Sequence, residues 1–177
     1  MDYLPLPTHE QGLTAVIGWP DQEAILTLVA RLALSGPVRL VVGGNQFDAH
    51  RLARLVRRQT TRLDETLERL ELARPFTCYQ TITLLEQTAG DRPLVCLDLL
   101  ATFYDDAVTL PERARLAHTA VAHLRRCRAQ VPVLVTLRPP PPATPDLTAI
   151  VQAAADRVYL YAPPARNAEW RMRSREW

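Results

Sequence analysis

Short, mostly apolar runs separated by amphipathic stretches constrain this chain more than any other feature. Leu13–Ile17 ends at Gly18, Val38–Val42 runs into Gly43-Gly44, and Leu94–Leu97 delivers Asp98 at its carboxyl end. Val133–Thr136 and Val158–Tyr161 complete the set. A continuous apolar run such as Leu94–Leu97 suits a strand buried on both faces, which is the condition of a parallel sheet. The intervening segments read as helices. After a turn at Trp19-Pro20, Asp21 caps a helix over residues 22–34 with Ile25, Leu28, Val29 and Leu32 on one face, and Ser35-Gly36-Pro37 stops it. Residues 48–59 repeat the spacing with Leu52, Leu55 and Val56. Residues 64–70 form a short helix and Leu72-Ala73 a brief strand; Thr77 caps a helix to about Thr88, Pro111 opens a long one to Arg128, and a last short one spans 147–153. Residues 138–146 hold five prolines and cannot be regular structure.

This rhythm predicts an α/β domain whose mainly parallel sheet is covered on both faces. The 177 residues divide into a leader at 1–12, a core at 13–161 and a tail at 162–177. In the tail Trp170 and Met172 alternate with charged residues up to Trp177, a period of two that predicts a C-terminal β-hairpin strand. Trp170 and Trp177 then either cover the sheet edge or dock a partner, since tryptophan is enriched in binding hot spots.

Composition narrows the chemistry. With 47% hydrophobic and 23% charged residues the chain is globular, and no apolar stretch is long enough for a membrane span. The first residues, MDYLPLPTHE, are neither basic nor apolar, so the expectation is a cytoplasmic protein without a signal peptide. Cys78, Cys96 and Cys127 lack paired spacing and read as reduced, buried side chains. All 21 basic residues are arginine, and a chain without lysine has no Schiff base, no lysine nucleophile and no P-loop lysine.

In order along the chain, LTAVIG, VVGGNQFDAHRLARLV, LERLELARPFTCYQTITLLEQ, PLVCLDLLATFY, VPVLVTLRP and DRVYLYAP resemble successive core segments of the RecA/Rad51 family, with the archaeal and eukaryotic Rad51-like branch the closer match. The resemblance covers about Leu13 to Tyr161 and implies a RecA-like three-layer αβα fold. The family's amino-terminal domain and its subunit-bridging phenylalanine motif have no counterpart in these residues.

The resemblance also locates an ATP site, and most of its parts are missing. A P-loop cradles phosphate with helix amino-terminal amides, glycines for close approach, a lysine and a hydroxyl residue on Mg²⁺. Gly18 matches the first glycine, but Glu23 stands for the second, Ala24 for the lysine and Ile25 for the hydroxyl residue. Asp21 and Glu23 place carboxylates where polyphosphate belongs, at about 4 kcal/mol per like-charge pair near 4 Å. The catalytic glutamate falls at Gly44, and the sensor glutamine at Leu137 or Arg138. Asp98 remains as a Walker B remnant, with a structural aspartate as its plainer meaning. The expectation is a pseudo-ATPase with no catalytic residue, no metal and no cofactor, in particular no bound Mg-ATP.

Arginines supply the remaining candidates. Arg51, Arg54 and Arg58, extended by Arg57 and Arg62, share a helix face, and Arg125, Arg126 and Arg128 form a second cluster. Either can contact DNA phosphate or form a solvated, ion-paired face. Asp105-Asp106 and the proline loop, where the family grips DNA, do not make a DNA clamp. His118 and His123, five apart, do not share a helix face for a metal. Three functions follow. The first is a non-catalytic RecA/Rad51-like paralogue in DNA recombination or repair, binding an active recombinase, another protein or its own copy, with DNA contact in addition. The others are an ATP-binding, DNA-dependent ATPase with an unorthodox site and a stand-alone DNA-binding module.

Overall fold

The computed structural model describes residues 11–18, 21–44, 47–142 and 144–161. The proposed tail hairpin, with Trp170 and Trp177, lies outside them. The elements are β1 (Gly12–Gly18), α1 (Gln22–Ser35), β2 (Val38–Val42), α2 (Ala49–Arg57), α3 (Leu63–Glu68), β3 (Leu70–Ala73), α4 (Cys78–Glu86), β4 (Leu94–Leu97), a 3-10 turn at Ala101–Tyr104, α5 (Leu110–Arg128), β5 (Pro132–Leu137), α6 (Thr148–Gln152) and β6 (Arg157–Tyr161). The six strands form one sheet in the order β3-β2-β4-β5-β1-β6, and every pairing is parallel.

Side-chain alternation splits the core into two layers. Leu94 and Cys96 of β4, with Val133 and Val135 of β5, point to the side where α4, α5 and α6 pack. Val95, Leu97 and Leu134 point to the other side, under α1 and α2. The division follows from handedness. From β1 the chain moves one way along the sheet to β2 and β3, and from β3 it returns through β4 and β5 to β6. Parallel crossovers are right-handed, so reversing direction moves the helices to the opposite face. The result is three layers, helices on both sides of a parallel sheet.

Central β4 is buried at every position, whereas edge strand β6 is largely exposed. On α1 the buried set is Leu26, Leu28, Val29, Ala30 and Ala33, with Ile25 and Leu32 only partly covered. The seam is thus rotated from the expected Ile25–Leu32 face. Ala30 and Ala33 let the helix lie close to the strands, a small-residue contact that a search for bulky apolar residues overlooks. Beyond β4 the expected loop begins as a helical turn, because buried Phe103 folds it onto the α5 side.

Arginine also finishes the fold. Arg69 Nη1 donates to the carbonyls of Ala33 and Leu34 at the end of α1, at 3.4 and 3.1 Å. Arg128 Nη1 donates to the Ala154 carbonyl at 2.9 Å and to Asp156 Oδ1 at 2.7 Å. Asp156 Oδ2 accepts the Leu13 amide at 2.7 Å, which ties the start of β1 to the entrance of β6. The last carbonyls of a helix have no internal partner, so cationic donors there satisfy groups that need bonds. The three cysteines are free and buried. Among the described residues, no helix is long and apolar enough to cross a membrane.

Candidate functional site

In open parallel sheets ligands bind outside the carboxyl ends of the strands, where neighbouring strands send their connections to opposite faces. Here β1 and β5 diverge in this way, and so do β2 and β4. A cleft of about 120 Å³ opens at that level, with Gly18, Gly44, Asp98 and Arg138 from the ends of four strands and Gln22, Ile25 and Leu26 from α1.

The α1 terminus is already neutralised. Asp21 caps the helix, its carboxylate accepting the Glu23 amide at 3.2 Å, and Glu23 in turn holds Arg51 of α2 at 2.6 Å. The amides and positive dipole end that would favour phosphate face carboxylates of the chain itself. Ala24 and Ile25, which the resemblance places at the lysine and hydroxyl positions, are apolar and pack against the second core layer. Gly18 has φ +114, and a side chain there would strike the Tyr161 carbonyl oxygen. This glycine is therefore explained by close strand approach and needs no phosphate.

Asp98 is the one non-glycine described residue with positive φ, at 51 degrees. Two bonds from β5 hold it there: the Asp98 amide donates to Thr136 Oγ1 at 2.8 Å, and the Leu99 amide to the Thr136 carbonyl at 3.1 Å. Aspartate tolerates this left-handed conformation better than most residues. Its carboxylate faces Arg138, with Nε to Oδ2 at 3.6 Å. Burial pushes the Asp98 carboxyl above its ordinary value of 3.8, against the lowering effect of the Arg138 guanidinium and backbone N–H. Arg138 thus supplies the positive charge on this aspartate from within the chain.

Gly44 completes the closure. A Cβ on it would lie 2.5 Å from Asp98 Oδ2, and one on Gly43 would strike the Asp98 carbonyl oxygen. A glutamate at position 44, where the resemblance places one, would meet the Asp98 side chain, which occupies that space.

Arg138→Ala is expected to lower stability by about 1–2 kcal/mol at neutral pH, since Asp98, with 18% of its side chain exposed, loses its partner. A folded-state carboxyl raised above its unfolded value contributes stability below the unfolded value and loses it as pH rises through the folded one. The variant raises Asp98 further. Urea denaturation at a series of pH values should therefore show a steeper loss of stability above pH 4 than the parent shows.

The structure divides the candidate DNA-binding arginines. Arg51 is paired with Glu23, and Arg126 Nη2 donates to the carbonyls of Leu85, Glu86 and Thr88 at the end of α4. Arg54 and Arg58 are exposed on α2, and Arg125 is exposed on α5. As α2 and α5 cover opposite faces of the sheet, the two clusters do not merge. Asp106 faces Arg113, and Asp105 accepts the Ala107 amide, so each acid of that loop has a protein partner. Among the described residues, no group of three His, Cys, Asp or Glu side chains is placed to hold a metal.

Sequence reasoning missed the Asp98–Arg138 and Glu23–Arg51 pairs. The first carried a usable signal, since each partner is the first charged residue after one of two buried strands. The second depended on helix placement.

Fold and cleft together define a doubly wound, all-parallel α/β protein whose carboxyl-end crevice is neutralised by its own side chains. In comparisons with known proteins, no family model matches the chain and no curated protein matches it.

Proposed function

We propose that this chain is a RecA/Rad51-like paralogue without ATPase chemistry, a cytoplasmic binding or regulatory subunit in DNA recombination or repair. One observation carries the reading. Four segments far apart in sequence, assigned by resemblance to a single nucleotide site, meet at one cleft, and the residues at the contact positions fill or neutralise it. At about 120 Å³ the cleft falls well below the roughly 300–1,000 Å³ of small-molecule pockets. A scaffold kept while its site is closed fits a role in contacts. Leu72, Phe76 and Tyr79 are 45%, 78% and 51% exposed along β3 and the start of α4, which supplies an apolar, aromatic surface for a recombinase partner.

Two measurements test this. Calorimetric titration with Mg-ATP to about 1 mM should give no binding heat; micromolar binding abolished by Asp98→Ala overturns the loss of the site. Biolayer interferometry against a purified RecA/Rad51-type recombinase should show binding that Phe76→Ala weakens by about tenfold. Absence of binding overturns the recombinase assignment.

A further inference from the structure

We propose that the outer face of α2 docks the phosphate backbone of DNA through Arg54, Arg57 and Arg58, without reading base sequence. This inference does not rest on the closed nucleotide cleft. Its basis is an imbalance of charge. The helix sequence AHRLARLVR contains no acid, and the capping Asp48 is engaged with the Arg51 amide at 2.9 Å. Buried Leu52 and Val56 fix its rotation. At 3.6 residues per turn, His50, Arg54, Arg57 and Arg58 then fall within a stripe about 100° wide on the opposite side, and Arg54 lies about 6 Å along the axis from Arg58. The three arginines are exposed.

Several other arginines meet internal acceptors: Arg39 meets Glu71, Arg115 meets Glu112, Arg128 meets Asp156 and Arg126 meets helix carbonyls. The Asp48 carboxyl is held below its ordinary range chiefly by the Arg51 amide and then the His50 amide, with the charge of Arg54 a lesser cause. The salt bridges and hydrogen bonds of the described residues otherwise leave the guanidinium groups of Arg54, Arg57 and Arg58 unengaged. Proximity to the helix carboxyl end favours these charges, yet it uses none of their forked donors.

The surroundings select the occupant. The large exposed apolar side chains of the described residues lie on β3, the loop before α4, α4, α5 and β6, and none lies on α2. A protein partner takes most of its affinity from aromatic or aliphatic anchors in a core depleted of charge. A phosphate backbone needs only cationic donors at intervals, and the planar guanidinium suits phosphate oxygens.

Fluorescence anisotropy of the full chain with a mixed-sequence duplex of about 25 base pairs tests this. Three neutralised phosphates predict a salt slope near −2.7, so affinity should fall about 40-fold between about 50 and 200 mM salt. The triple variant Arg54→Gln, Arg57→Gln, Arg58→Gln should lose nearly all of that dependence, while Arg125→Gln on the opposite face should bind like the parent. A thermal melt checks folding; if the triple variant does not fold, each single variant should lower the slope by about 0.9. No binding at about 50 mM salt, or binding unchanged in the variants, overturns the proposal. So does displacement of the duplex by polyglutamate of matched charge as readily as by unlabelled DNA, which assigns the face to an acidic protein. ATP binding has no bearing on any of these outcomes.

Discussion

Gly44→Glu should lower stability by about 3 kcal/mol or more and should not produce an ATPase. The substitution installs the residue that the resemblance places in a functional RecA/Rad51 site. Its Cβ, however, would lie 2.5 Å from Asp98 Oδ2 and 3.1 Å from Asp98 Cβ and Cγ. Contacts this short force the Asp98 side chain or the β2 and β4 ends to shift, and overpacking alone costs about 1–3 kcal/mol. The added carboxylate then faces Asp98, whose carboxyl burial already pushes upward. Like charge and desolvation make up the remainder. Guanidinium denaturation gives the number, and Gly44→Ala isolates the steric share at about 1–3 kcal/mol. Asp98→Gly removes the obstructing side chain and tolerates the left-handed backbone, so the double variant with Gly44→Ala should recover much of the steric loss. A Gly44→Glu protein as stable as the parent would falsify the packed arrangement of these two strand ends.

Phe103→Ala is expected to cost about 3–5 kcal/mol, the range for deleting a buried aromatic side chain. Phe103 is fully buried, and its amide donates to the Leu100 carbonyl at 2.9 Å within the turn after β4. It anchors in the first core layer the same turn that holds Asp98 against Gly43 and Gly44. Losing it should loosen the turn as well as the core. Hydrogen exchange at the amides of Leu99 and Ala101, which donate to Thr136 and Asp98, should accelerate beyond what global destabilisation explains. Phe103→Leu fills most of the space and should cost much less. Equal losses in the two variants would sink the anchoring role.

The inner strands were legible because burial on both faces leaves a mostly apolar signature in four or five consecutive residues. Val38–Val42 and Leu94–Leu97 need no partner to be recognised, and Asp21, Asp48 and Thr77 mark helix starts through side-chain bonds to nearby amides. The departures from the ATP site of the resembled family were equally local, for Glu23, Ala24, Ile25 and Gly44 are each visible at single positions. The α1 seam was less legible, because Ala30 and Ala33 bury little area each and carry little periodic weight.

By itself, then, the sequence determined the class of fold, the helix starts and the absence of lysine chemistry, since all of these are written within one turn or one strand. Only the tertiary structure decided what surrounds the cleft. The Asp98–Arg138 pair spans residues 40 apart and Glu23–Arg51 spans 28, distances over which charge pairing depends on strand order and helix placement. Tertiary placement likewise separated arginines alike in sequence, turning Arg126 toward the carbonyls of α4 and leaving Arg54 and Arg58 facing outward. An arginine is used internally or left at the surface according to which acceptors the fold brings within hydrogen-bond reach, and those acceptors come from other parts of the chain.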